Sequence, residues 1–443
     1  MTRTNGLLAG LLVLSVAGVA GGVGYITQQN IATYESELAS AVADARAELR
    51  PQGIDVSVQT VSTSMLGMKR EERFVFRKLD PAMELFAINQ QVTIEPFRAY
   101  GTFGIDDKSG MVAMFAGAAP DLLGKQQGSW QLDPVNDLLN VNYRTGAVNQ
   151  SMPDGTQVSV KPLTLTAVAG AANKGKTRVN MSIPDIALES PMGKGSLKGF
   201  DLLVRSHEVK GETFVDHVRY KIGQVSVDSP FITFMLRDFA MESGQIIDRN
   251  ELASLMTINF SALNVNSSDK DLSVEPTRLS LFVNGINWPA LEQATKEIND
   301  LSSDPALADE GQILSAAIEA WSRVAAEGLT IKLETLESRF ILNDLGPAGM
   351  GASGDVLLSG GALLEPGMAE TLMYDWPQRI SADLMIDGSR SLMQSPLAEH
   401  VVSLIDAGYI AQSSDRLQTH IRYVDGMVTA NDLPLDGMLA TGM

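Results

Sequence analysis

Short runs in which apolar and polar residues alternate one for one recur from Ile54 almost to the end of this chain, and that period leaves little choice of backbone. Only an extended strand sends successive side chains to opposite faces, so each run marks a strand with one apolar and one polar side. The runs cover residues 54–61, 74–79, 92–97, 111–115, 158–168, 179–183, 199–204, 215–227, 258–265, 272–283, 329–336, 354–359, 380–386, 417–424 and 427–430. Gly, Asp, Asn and Pro punctuate them. Between the last two runs, Asp425-Gly426 has the make-up of a two-residue hairpin turn, since Gly accepts the positive φ that turn requires.

Helical spacing is rarer and comes late. It covers 288–298; 312–327, with Leu314, Ala317, Ile318, Trp321, Val324 and Ala325 on one face; and 396–407, with Leu397, Val401, Leu404 and Ile405. These helices do not alternate with strands one by one. A mainly β (α+β) fold is therefore expected, an extended and curved antiparallel sheet with a few late helices, in preference to a doubly wound α/β fold. The polar stretch 299–311 (NDLSSDPALADEG) is a candidate sub-boundary within the body or an exposed loop between helices. No fixed-period repeat is present.

The other strong pattern is at the start. Residues 7–26 (LLAGLLVLSVAGVAGGVGYI) carry no charge, and twenty residues at about 1.5 Å rise span the roughly 30 Å of a bilayer core. Arg3 precedes the run, while Glu35, Glu37, Asp44 and Glu48 follow it, which predicts residues 1–6 in the cytoplasm and the body outside. Gly18 and Ala20 would suit signal-peptide cleavage before Gly21. Apolar character continues to Ile26, however, and a helical pattern runs through Ile31, Leu38, Val42 and Ala45 toward Leu49, which favours a retained anchor and a helical stalk over 27–50. Gly18 and Gly22 stand at the spacing that lets two membrane helices approach closely, so a homodimer through the anchor is one option. The spacing also occurs simply because Gly and Ala abound in such anchors.

Lys and Arg number 34 against 53 Asp and Glu, a net charge of −19, and no basic stripe interrupts the acidic background. That argues against nucleic acid as a partner, and it leaves the anchor rather than surface charge to hold the chain at the inner membrane. The absence of cysteine rules out disulfides, thiolate metal sites and cysteine nucleophiles. His207, His217, His400 and His420 form no HxH or HxxxH pair, and no G-x-S-x-G elbow is present. The glycine-rich stretches 346–354 (GPAGMGASG) and Gly360-Gly361 lack the G-K-[ST] ending of a phosphate loop and read as flexible turns. Glu71-Glu72 and Asp106-Asp107 read as solvated loop charges. No catalytic, cofactor or metal residue is therefore assigned, and the chain is not expected to be an enzyme. A half-apolar sheet containing many of the 20 methionines would suit an apolar guest, or ordinary core packing.

Taken in order, the anchor, the short helix and Pro51, the strand ending Glu95-Pro96-Phe97, residues 279–288 (LSLFVNGINW), residues 417–427 (LQTHIRYVDGM) and Leu433-Pro434-Leu435 resemble the YdgA-like family of bacterial inner-membrane-anchored envelope proteins of unknown function. Ile94-Glu95 stands where relatives tend to carry His-Gly, so no role for that histidine carries over. The resemblance implies a single-pass protein of the bacterial inner membrane with residues 51–443 in the periplasm, and it implies no reaction. Three functional expectations follow: a tethered, non-enzymatic binder of lipid or another apolar ligand; a scaffold dimerising through its anchor; or an envelope hydrolase with an unrecognised site.

Overall fold

A computed structural model describes residues 28–435, apart from 51–52, 65–67, 96–97, 111, 114–123, 134–137, 153, 171–175, 210–211, 249, 268–269, 304–309, 345–350, 369–370 and 395–397. The fold is mainly β, and the strand pairings detailed below are antiparallel. The chain divides into two compact units. The first takes residues up to Leu188, Gly199–Val218 and Ser302–Asp304; the second takes Glu189–Lys198, Arg219–Leu301 and everything from Pro305.

The first unit begins with helix α1 (Gln28–Leu49). Its strands are β1 (Ile54–Thr63), β2 (Lys69–Lys78), β3 (Met83–Glu95), β4 (Arg98–Ile105), β5 (Gln127–Asp133), β6 (Leu138–Arg144), β7 (Val148–Ser151), β8 (Gln157–Val160), β9 (Thr164–Ala169) and β10 (Thr177–Ser190), with parts of β11 (Gly193–Val209) and β12 (Glu212–Asp228). Strands β1 to β6 pair in succession, then β6 with β9 and β9 with β10, while β7 and β8 form a hairpin. Tyr34, Leu38, Ala41, Val42, Ala45 and Leu49 recur at three- and four-residue spacing, and all are buried. They pack on Val56, Phe74, Phe76, Phe86, Ile88, Val92 and Trp130, with Phe76 and Phe86 stacked at 4.2 Å. The segment read from sequence as a stalk is thus a helix laid on a sheet, and it closes that unit's core. Each large aliphatic or aromatic side chain buried there contributes about 1.5–3 kcal/mol over its exposed state.

The second unit holds β13 (Ile232–Asp248), β14 (Glu251–Phe260), β15 (Ala262–Ser267), β16 (Lys270–Asn287), helices α2 (Trp288–Ser303) and α3 (Glu310–Ala325), β17 (Leu329–Asp344), β18 (Gly351–Leu364), helix α4 (Leu372–Arg379), β19 (Ile380–Ser389), a 3-10 turn (Arg390–Gln394), helix α5 (Ala398–Asp406), β20 (Ala411–Gln412), β21 (Arg416–Val424), β22 (Met427–Ala430) and β23 (Leu433–Pro434). Both β14 and β15 pair with β13 on one side and β16 on the other, and the order continues β16–β17–β18–β19–β21–β22. Helices α2 and α3 share a small core of Ala294, Ala320 and Val324 with Ile286 and Leu291.

Several sequence expectations change. The run 158–168 is two strands, because Pro162 between them has no N–H to give a ladder. The run 258–265 breaks at Ser261, opposite Asp238, whose φ is 50°. Val112 and Ala113 are helical, and the rest of 111–115 lies outside the described residues. In α3 the stripe is rotated: Ala320 and Val324 point inward, whereas Leu314 and Trp321 are exposed. Strands β4 to β7 carry no clear alternation in sequence, because Gly, Asn and Gln occupy many of their positions. The Asp425-Gly426 hairpin forms as expected, with both residues at positive φ and Val424 paired with Met427. The expected membrane span 7–26, with Gly18 and Gly22, lies outside the described residues; among those described, no helix is long and apolar enough to cross a membrane.

Candidate functional site

Residues paired across a sheet share a face, so the register of the second unit shows where its apolar side chains collect. One row runs Met241–Ile258–Leu279–Leu336–Leu358–Ile386. The next runs Met256–Leu281–Leu333–Gly360–Leu384–Ile421, and a third Val283–Ile331–Ala362–Ala382–Tyr423. The opposite face is mixed: Arg278–Glu337 and Asp387–Gln418 are polar pairs on it, while Leu255, Leu357, Leu363 and Met385 stand exposed among them. Alternation along the strands lines these rows up, and the register shift between Leu333 and Leu336 brings both leucines of β17 to the same face. None of the apolar residues in these three rows is fully buried, and Ile331 remains 37% exposed.

On this face Gly360, Gly361, Ala362 and Ala382 make a low floor between Ile331 and Leu333 on one side and Leu384, Ile421 and Tyr423 on the other, a trough of about 260 Å³. Gly360 is fixed by its neighbour: a Cβ there would lie 2.1 Å from the Asp383 carbonyl oxygen. At one end Tyr423 stacks on Trp376 of α4, ring centroids 6.4 Å apart. Gly360-Gly361, read from sequence as a flexible turn, is strand, as is Gly351–Gly354; residues 345–350 lie outside the described residues. No pairing rule applied to a single strand could have located the trough, because its walls come from four strands.

Polar groups gather elsewhere. Glu71-Glu72, read as loop charges, belong to strand β2, and Glu72 is the more unexpected of the two at 1% exposure. Its Oε2 accepts hydrogen bonds from the Tyr34 hydroxyl at 2.7 Å and from Gln90 Nε2 at 3.1 Å, and Gln90 Oε1 accepts one from Trp130 Nε1 at 3.2 Å. Arg70 Nε lies 3.4 Å from Glu72 Oε1, and Arg70 Nη1 donates to Glu35 at 2.7 Å. Burial first, then the Glu72 charge and hydrogen bond, push the Tyr34 phenol far above its ordinary range. A phenol held protonated this way serves as a donor. The network therefore pins α1 to the sheet in one register, by donors and acceptors that have few alternatives in a dry interior. The signal was present in the sequence, since Arg70 and Glu72 share the parity of Phe74 and Phe76, but it became visible only with the strand assigned.

The four histidines stay apart. His207 Nδ1 lies 3.1 Å from Asp216 Oδ2 and its ring meets Phe214 edge-on at 5.4 Å; His217 is buried on β12; His400 is on α5 and His420 on β21. Among the described residues no group of three or more His, Asp or Glu is placed to hold a metal ion. Asp106 accepts the Lys108 amide and faces Arg73 at 3.3 Å, roles of turn closure and charge pairing. Compared with known proteins, the sequence matches no family model and no curated protein, and the fold matches no solved structure.

Proposed function

We propose that this chain is a non-enzymatic, membrane-tethered envelope protein that holds the acyl part of a lipid on the apolar face of its second unit. The observation that carries the reading is the set of register-aligned apolar rows left half exposed around a floor of Gly and Ala. Soluble proteins rarely leave contiguous apolar patches above about a few hundred Å² without a binding partner. A floor of Gly and Ala, with no side chain larger than a methyl, between Leu, Ile and Tyr walls suits an unbranched hydrocarbon chain, which needs depth and no hydrogen bonds. Register shifts at Leu252/Ser254, Val274/Thr277, Ser280/Leu281 and Leu333/Leu336 add bend and twist, and so favour a curved surface over a flat one. The uncharged run at 7–26 and the YdgA-like resemblance supply the setting, an inner-membrane anchor with the body in the periplasm.

The test is native mass spectrometry of the full chain released from detergent, with lipid extraction of the same sample. Bound phospholipid is expected, and lost in Ala362→Phe with Ala382→Phe, which fills the trough floor from both sides. A species without lipid under every condition, or undiminished lipid in the double variant, would overturn the reading.

A further inference from the structure

We infer that the first unit carries a second and chemically different site, a recess for a neutral saccharide. The recess, about 690 Å³, lies on the face of strands β2 to β5 that carries Glu71, Arg73, Asn89, Gln91 and Thr102. Register places Arg73 beside Asn89 and Asn89 beside Gly104, and in the next row Glu71 beside Gln91 and Gln91 beside Thr102. Gly104 leaves a step with no side chain between these polar groups; a Cβ there would lie 3.2 Å from the Gln126 amide carbon. Gln126 is itself held in place, accepting from Ile105 N at 2.8 Å and donating to Ile105 O at 2.6 Å.

The charge balance selects the ligand. Arg73 is the cation in the recess, and it is already paired, at 2.8 Å with Glu84 and 3.3 Å with Asp106. An anion such as phosphate would meet a guanidinium whose charge two carboxylates already offset, and would face Glu71. What remains available is uncharged or accepting. Among the described residues Asn89 and Thr102 have no side-chain hydrogen-bond partner, and Gln91 has only a distant one, Glu71 at 3.4 Å. A carboxamide offers donors and an acceptor side by side, which is the complement of vicinal hydroxyls, each of them donor and acceptor at once. A neutral polyol also loses less hydration on entering than an ion does. The ligand class that meets these conditions in a cleft of this size is an oligosaccharide.

The experiment is saturation-transfer NMR on the full chain in a detergent without a sugar headgroup, with maltotriose, cellotriose and N,N′-diacetylchitobiose as probes and inorganic phosphate as the contrast. At least one saccharide is expected to bind and phosphate is not. Asn89→Ala with Gln91→Ala, both surface positions, should weaken binding about tenfold, the loss of two ordinary hydrogen bonds. Thr102→Val provides a second, near-isosteric variant should the first melt early, and should also weaken binding. Filling the second unit's trough with Ala362→Phe and Ala382→Phe should leave saccharide binding unchanged, so this site and the lipid reading stand or fall separately. Failure of all three sugars to bind, preference for phosphate, or undiminished binding in both recess variants would overturn the inference.

Discussion

The two units are written in the same alternating code and end in opposite conditions. In the first, Val56 is fully buried and Phe74 and Phe76 are 4% and 2% exposed, because α1 lies across the sheet and shuts its apolar face. In the second, rows of Leu, Ile and Met of equal hydrophobicity stay half exposed; α2 and α3 instead build their own small core beside Ile286. An apolar stripe fixes which face seeks cover. It does not say whether cover arrives. A sheet that is capped becomes a core, and one that is not becomes a surface able to take a ligand.

The contrast can be broken most forcefully at the buried network. Glu72→Ala leaves Arg70 and the Tyr34 hydroxyl without their buried partner and should destabilise the first unit by about 3–5 kcal/mol, read by urea denaturation. Glu71→Ala, one residue away on the exposed face, should stay within about 0.5 kcal/mol. Equal losses would mean that Glu72 is not the pin described above.

A matched pair of truncations sharpens the comparison directly. Leu38→Ala in α1 should cost about 2–4 kcal/mol through transfer and cavity formation, whereas Leu384→Ala on the open face should cost under about 1 kcal/mol. Similar values in the two units would show the second face to be covered in solution. Gly426→Ala, which places a Cβ at φ 79°, should cost about 1–2 kcal/mol by thermal melting and leave the first unit's transition in place.

The smallest effect is on pH. Burial pushes the Tyr143 phenol up to about 12 from its usual 10. The unfolded phenol ionises first, so this group's contribution is fully present below about pH 10 and is lost as pH rises through about 12. Tyrosinate absorbance followed during alkaline titration should show late-ionising tyrosines, one fewer in Tyr143→Phe. Titration of that variant indistinguishable from the parent would remove the assignment.

Much of the architecture was legible because period two is a property of the covalent backbone. Strands such as 54–61, 272–283 and 380–386, and the Asp425-Gly426 turn, needed no long-range information. Strands β4 to β7 were missed where Gly, Asn and Gln blur the alternation. The rotation of α3 was missed because Leu314 and Trp321 share its helical face with Val324, and periodicity cannot say which edge of a broad apolar stripe is turned inward against α2.

The functional surfaces were legible only in part. Residue types showed that no thiol chemistry was possible and that no metal-ligand motif lay along the chain. They could not show that Glu72 lies beneath α1, since a charge is driven inside only when distant residues, here Tyr34, Arg70 and Gln90, satisfy it there. Nor could they bring Ile331, Ala362, Ala382 and Tyr423 into one row, or leave Gly104 as a step beside Asn89. By itself the sequence determined the alternation, the turns, the acidic balance and the uncharged run at 7–26, all of which depend on neighbours a few residues away. Tertiary structure decided which apolar face was closed and which was left open, because burial depends on what packs from far along the chain.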